Sequence, residues 1–181
     1  MKKIPTPFPD VWIIEPDVFQ DPRGFFYESY SSKKLQALGF DIQFVQDNHS
    51  RSARNTVRGL HFQIGLGQIK LVHCTKGKIW DIVVDIRPKS PTFRQWYGLE
   101  LSETNFRQLL IPVGYAHGFS VLSEVADVQY KVSNYYDPAV ERGIQWDDAT
   151  LKVDWKVDSP LLSQRDLSNP SLDEFLASQN Q

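Results

Sequence analysis

His61 stands in Thr56-Val57-Arg58-Gly59-Leu60-His61-Phe62-Gln63, and His117 in Ile111-Pro112-Val113-Gly114-Tyr115-Ala116-His117-Gly118-Phe119. One imidazole near an arginine, with Lys70 nine positions further on, suits proton transfer on an anionic substrate. Imidazole titrates near about 6.5, so at neutral pH it is mostly an available base. A metal centre needs more. The four histidines, His49, His61, His73 and His117, include no His-x-His pair, and Arg58 and Lys70 would repel a cation. No metal is expected. Residue type alone leaves the bland reading open: a lone strand histidine is more often structural, and a lysine at a strand end is ordinarily solvated.

The elements that must position these groups read as short strands. Val11–Ile14, Phe25–Tyr30, Leu71–Thr75, Ile79–Ile86, Gln108–Ile111, Gly118–Val121 and Val128–Val132 are rich in β-branched and aromatic residues. Turn signals separate them: Asp21-Pro22-Arg23-Gly24, Lys76-Gly77, Arg87-Pro88-Lys89-Ser90-Pro91 and Asp137-Pro138. Gly65 and Gly67 between His61 and Lys70 allow a hairpin that would put both side chains inside one barrel. Ser31 begins a short capped helix that ends at Gly39, and Ser171–Ser178 forms a terminal helix. Many short strands predict a closed sandwich or barrel.

Length and charge narrow the function. The 181 residues suit a single domain, 1–181, with a real core. Twenty Lys+Arg against 22 Asp+Glu give a net charge of −2, without the basic excess of a nucleic-acid binder. No apolar run approaches the roughly 20 residues of a membrane span, and Met1-Lys2-Lys3 leads into prolines rather than a signal-peptide core. The single cysteine, Cys74, excludes an intrachain disulfide and reads as a buried strand residue, which fits a reducing cytoplasm.

Two resemblances then carry the reading further. Pro112-x-Gly114-x-x-His117 resembles the second signature of the cupin β-barrels, which implies a mainly β, cupin-type double-stranded jelly roll with a few short helices. Eight segments in order resemble the dTDP-4-dehydrorhamnose 3,5-epimerase family. They are Asp21–Glu28, Phe44–Ser50, Arg58–Gln63 with Lys70–Val72, Ser90–Phe93, Pro112–Phe119, Tyr130-Lys131, Asn134–Tyr136 and Ser163–Asp166. The resemblance implies cofactor-independent epimerisation at C3 and C5 of a dTDP-linked 4-keto-6-deoxyhexose, by a cytoplasmic homodimer. Two other readings stand beside it: a single-site epimerase of another nucleotide-linked 4-keto sugar, and a non-catalytic sugar-binding cupin.

The same resemblance assigns roles. His61 would remove the proton next to the ketone and Asp166 would hold its far nitrogen, although 105 positions separate them. Lys70 would stabilise the enolate. Tyr130, a phenol of pKa about 10, would return a proton from the opposite face. Arg23, Arg58 and Arg165 match diphosphate contacts, for which guanidinium forks are suited. Glu28, Gln46, Asn48 and Glu141 match polar contacts to base and sugar, and His117 a contact near the sugar. Tyr136 or its neighbour Tyr135 would stack on thymine, as could Phe26 reaching from another subunit. Two positions depart from the family: Arg165 stands where lysine is usual, and Ile64-Gly65-Leu66-Gly67 is about a residue short and lacks proline.

Overall fold

The computed structural model describes residues 1–179. The chain opens with β1 (Lys2–Pro5), β2 (Trp12–Glu15), β3 (Val18–Asp21), β4 (Gly24–Tyr27) and helix α1 (Ser32–Ala37). There follow β5 (Gln46–Ala53), β6 (Val57–Gln63), β7 (Lys70–Lys76), β8 (Lys78–Asp85) and β9 (Trp96–Ser102). After them come β10 (Gln108–Ile111), β11 (Tyr115–Val121), β12 (Val125–Val132), β13 (Glu141–Gly143) and the short helices α2 (Gln164–Leu167) and α3 (Leu172–Ser178). Two antiparallel sheets face each other, six strands in the order β1-β2-β10-β7-β12-β5 and five in the order β13-β6-β11-β8-β9. This is the expected mainly β jelly roll.

Alternation along each strand sorts side chains into three apolar layers. Between the sheets lie Val72, Cys74, Ile79, Val83, Leu109, Ile111, Phe119 and Val128. The outer face of the five-stranded sheet, with Leu60, Phe62, Ile82 and Val84, is covered by Ile144, Leu151, Trp155, Leu172 and Phe175 of the C-terminal segment. The outer face of the six-stranded sheet, with Ile14, Leu71 and Leu110, is covered by Leu35 of α1 and by Tyr30, Phe40 and Phe44. Strand β8 is therefore buried on both faces, which explains why its alternation in sequence is imperfect. Leu60 is fully buried beside His61, so Leu60→Ala should cost about 2–5 kcal/mol and loosen the strand that carries the imidazole.

Local signals behave as their chemistry dictates. The Ser31 hydroxyl accepts from Lys34 N, and Ser171 closes a capping box with Glu174. Gln108–Ile111 is a strand over the predicted residues, whereas the one expected over Phe25–Tyr30 ends at Tyr27. The hairpin expected between His61 and Lys70 does not form. Strand β6 belongs to the five-stranded sheet and β7 to the six-stranded one, so the intervening loop crosses between sheets. The two residues consequently meet across the interior rather than side by side.

Candidate active site

Strands β6 and β11 pair with His61 directly opposite His117, and a register shift follows before Arg58 meets Phe119. A Cβ on Gly59, whose φ is +124°, would lie 2.6 Å from the Cα of Gly118. Only glycine permits that close approach. As direct cross-strand partners, the two imidazoles share the face that looks into the barrel.

Each imidazole has its own carboxylate. His61 Nε2 lies 2.6 Å from Oδ1 of Asp166, which α2 brings behind β6. Asp166 is buried, and His61 keeps 24% of its side chain exposed. Burial pushes the Asp166 carboxyl up, but the hydrogen bond and charge of His61, the Ser163 hydroxyl and the Gly59 backbone N–H together hold it below the usual aspartate value. With Nε2 bound to an ionised carboxylate, the neutral imidazole carries its proton there and leaves Nδ1 as the basic atom. His117 differs: it is buried, and its Nε2 lies 3.0 Å from both oxygens of the fully buried Asp81 on β8.

The six-stranded sheet supplies the facing groups. Lys70 opens β7 and its Nζ donates to the His61 carbonyl at 3.3 Å. Desolvation lowers its pKa to about 8, an effect partly offset by the negative charges of Glu141 and Asp81. Tyr130 lies two residue pairs away on β12, opposite Val72, and packs on the inter-sheet core. Burial raises its phenol above the ordinary value; Glu141 adds to this and Arg58 opposes it, so the group is protonated at neutral pH.

A rim of polar residues surrounds this chamber. Arg58 Nε donates to Ser52 Oγ at 3.0 Å. Gln46 donates to Asn48 Oδ1 at 2.7 Å and accepts from the Tyr136 backbone N–H at 3.1 Å. Arg165 donates to Glu141 at 3.0 Å, and the Tyr136 phenol also hydrogen-bonds Glu141. Tyr135 is 71% exposed. Three predicted contacts lie elsewhere. Arg23 and Phe26 sit on the separate β3–β4 ribbon, where Arg23 pairs with Asp21 and Phe26 is 67% exposed, while Glu28 pairs with Lys34. Among the described residues none of these three forms a hydrogen bond, ion pair or ring contact with His61, Lys70, Tyr130 or Asp166.

The sequence model described as dTDP-4-dehydrorhamnose 3,5-epimerase matches residues 5–174. The chain belongs to this family. It is similar to the dTDP-4-dehydrorhamnose 3,5-epimerase of Escherichia coli (strain K12), at 51% identity over 97% of each protein. The enzyme of that name from Pseudomonas aeruginosa is 52% identical over 92% of this chain and 93% of its own length. Among solved structures, the dTDP-6-deoxy-D-glucose-3,5-epimerase of Legionella pneumophila Philadelphia 1, in complex with dTDP-4-keto-L-rhamnose, superposes with a TM-score of 0.94 at 45% identity. That match covers 98% of this chain and 95% of the other.

Within this epimerase fold, two members of the chamber were not singled out from sequence. Asp81 carried a readable signal, a charged residue inside the apolar run Ile79-Trp80-Asp81-Ile82-Val83-Val84. Ser163 carried a weaker one, a serine three residues before Asp166 at a helix start. Among the described residues no group of three His, Cys, Asp or Glu is placed to hold a metal ion. His73 lies on the outer face of the six-stranded sheet, lining a pocket of about 330 Å³ with His49, Gln108 and Gln129, which Asn48 and Tyr130 also border.

Proposed function

We propose that the chamber between the two sheets performs both halves of a proton exchange, with His61 taking a proton on one side and Tyr130 returning one on the other. The chain is a nucleotide-sugar epimerase. It acts on dTDP-4-dehydro-6-deoxy-D-glucose and gives dTDP-4-dehydro-L-rhamnose by inverting C3 and C5, the carbons that flank the C4 ketone. His61 Nδ1 removes the proton, and the C–H electron pair moves into the carbonyl as an enolate. The Lys70 ammonium meets the charge on the enolate oxygen in a site where water competes poorly. Tyr130 then gives its proton to the opposite face of the carbon. Exchange of protons with solvent resets the imidazolium and phenolate. Asp166 stabilises the imidazolium and holds its orientation. The observation that carries this reading is the His61–Asp166 pair on one sheet facing Lys70 and a protonated Tyr130 on the other.

Arg58 and Arg165 bind the diphosphate; Gln46, Asn48, Glu141 and His117 contact sugar and base; Tyr136 stacks on thymine. Arg23, Phe26 and Glu28 act on the site of a second copy in a homodimer. Support for that arrangement is the ribbon itself, which leaves Phe19, Phe25 and Phe26 between 58% and 67% exposed. Among the described residues no helix is long and apolar enough to cross a membrane. We assign the enzyme to the cytoplasm, where Cys74 stays reduced. Incubation with the 4-keto substrate in deuterated water, followed by NMR, tests the reading: label at C3 and C5 supports it. Label at one carbon alone would make the chain a single-site epimerase, and no label would make it a binding protein.

A further inference from the structure

His61 uses one oxygen of Asp166, and the other is also taken. Oδ2 accepts from Ser163 Oγ at 2.8 Å, and the same hydroxyl oxygen accepts from the Asp166 backbone N–H at 3.1 Å. Ser163 is the N-cap of α2, and Asp166 is its third residue. In α3 the equivalent pair closes on itself: Glu174 Oε2 accepts from Ser171 N at 2.8 Å and from Ser171 Oγ at 2.9 Å. Asp166 is one methylene shorter than glutamate, and among the described residues it makes no return bond to the Ser163 backbone. Its carboxylate instead spans Ser163 and His61.

This matters because a carboxylate turns readily about its last torsion, which has broad minima. The hydrogen bond to His61 alone leaves that rotation soft; the Ser163 hydroxyl on Oδ2, acting with the Gly59 backbone N–H, removes it. The serine is itself located by the strand that carries the base. Leu161 donates to the Asn55 carbonyl at 2.8 Å and accepts from Val57 N at 2.9 Å, at the start of β6. A four-residue helix has no stability of its own, so cap and stitch together define where α2 begins.

We propose that Ser163 is a positioning residue for proton transfer: its hydroxyl fixes the Asp166 carboxylate so that Oδ1 meets His61 Nε2, keeping Nδ1 unprotonated and aimed into the chamber. This rests on the reading of His61 as the base. Ser163 is exposed, so its truncation opens no core cavity. Three full-length variants separate positioning from folding. Ser163→Gly keeps an acceptable N-cap but loses the hydroxyl, Ser163→Ala loses both, and Ser163→Thr retains both. Both Ala and Gly should lower kcat about tenfold, short of the roughly hundredfold cost of a misplaced catalytic group, with KM within twofold. In the same variants the ¹⁵N shifts of His61 should move from a dominant Nε2–H tautomer towards a mixture, and Thr should restore rate and shifts together. Wild-type kcat and shifts in Ser163→Gly would overturn the proposal, as would a fall in kcat with unchanged shifts. If His61→Ala still turns over while the Ser163 variants disturb the imidazole shifts, the base assignment fails and the positioning stands.

Discussion

On the five-stranded sheet the inward polar groups are His61 with Asp166 behind it, His117 with Asp81, Glu141 and, at the rim, Arg58. On the six-stranded sheet they are Lys70, Tyr130, Asn48 and Gln46. Apart from the Arg58 guanidinium at the rim, the first set accepts protons and carries carboxylates; the second offers an ammonium, a phenol and amides. The apolar layer between the sheets fills most of the barrel, and the two sets meet where Lys70 reaches the His61 carbonyl. A chamber with acceptors on one wall and donors on the other suits inversion, because a proton that leaves towards one wall is replaced from the other. A histidine next to a tyrosine on one sheet could exchange a proton but could not invert the carbon.

The largest expected effect is on the acceptor wall. His61→Ala should nearly abolish deuterium wash-in at both carbons while dTDP binding, measured calorimetrically, stays within a few-fold. Next is the donor wall, where Tyr130→Phe keeps the ring and should slow product formation about 10²–10⁴-fold. Lys70→Met should then cost about 10²–10³ in kcat, as expected for an oxyanion donor. Lys70 also makes a pH prediction. Its pKa is depressed to about 8, so the free enzyme carries the ammonium below that pH and loses it above. A profile of kcat/KM should show an alkaline limb near pH 8, and Lys70→Arg, though slower, should lose that limb. Asp166→Asn should cost about 10–100-fold less than deleting the base.

The smallest effect on turnover belongs to His73, an imidazole on the outer face of the donor sheet and so a control for the acceptor wall. Burial, with a contribution from Lys131, lowers its pKa to about 4. Unfolding therefore takes up a proton between pH 4 and about 6.5, so the stability it contributes is complete above pH 6.5 and lost towards pH 4. Melting temperature measured against pH should flatten in that window for His73→Gln, with kcat unchanged.

Much of this arrangement was legible before any coordinates, and the remainder was hidden for physical reasons. Caps at Ser31 and Ser171 are local chemistry, and the β10 strand is apolar after Gln108 because both its faces are covered. Strand β5, Gln-Asp-Asn-His-Ser-Arg-Ser-Ala, escaped notice because it is an edge strand with a polar outer face and polar residues turned to the site. The nine-residue spacing from His61 to Lys70 fixes reach but not which sheet the chain joins next. The His61–Asp166 contact spans 105 positions, so the residues' own pattern did not contain it; family resemblance supplied it. Ser163 needs the geometry itself, since a capping serine looks the same at α2 and α3 until its carboxylate partner is seen bridging to His61.

The most direct test of the two-wall account is Tyr130→Phe, with solvent-deuterium exchange and product configuration read by NMR in the same samples. With the acceptor wall intact, deuterium should still enter at C3 and C5, returned from the side it left, while inverted product falls by about 10²–10⁴ relative to exchange. Exchange and inversion falling by the same factor, or neither falling, would contradict the division of labour between the sheets.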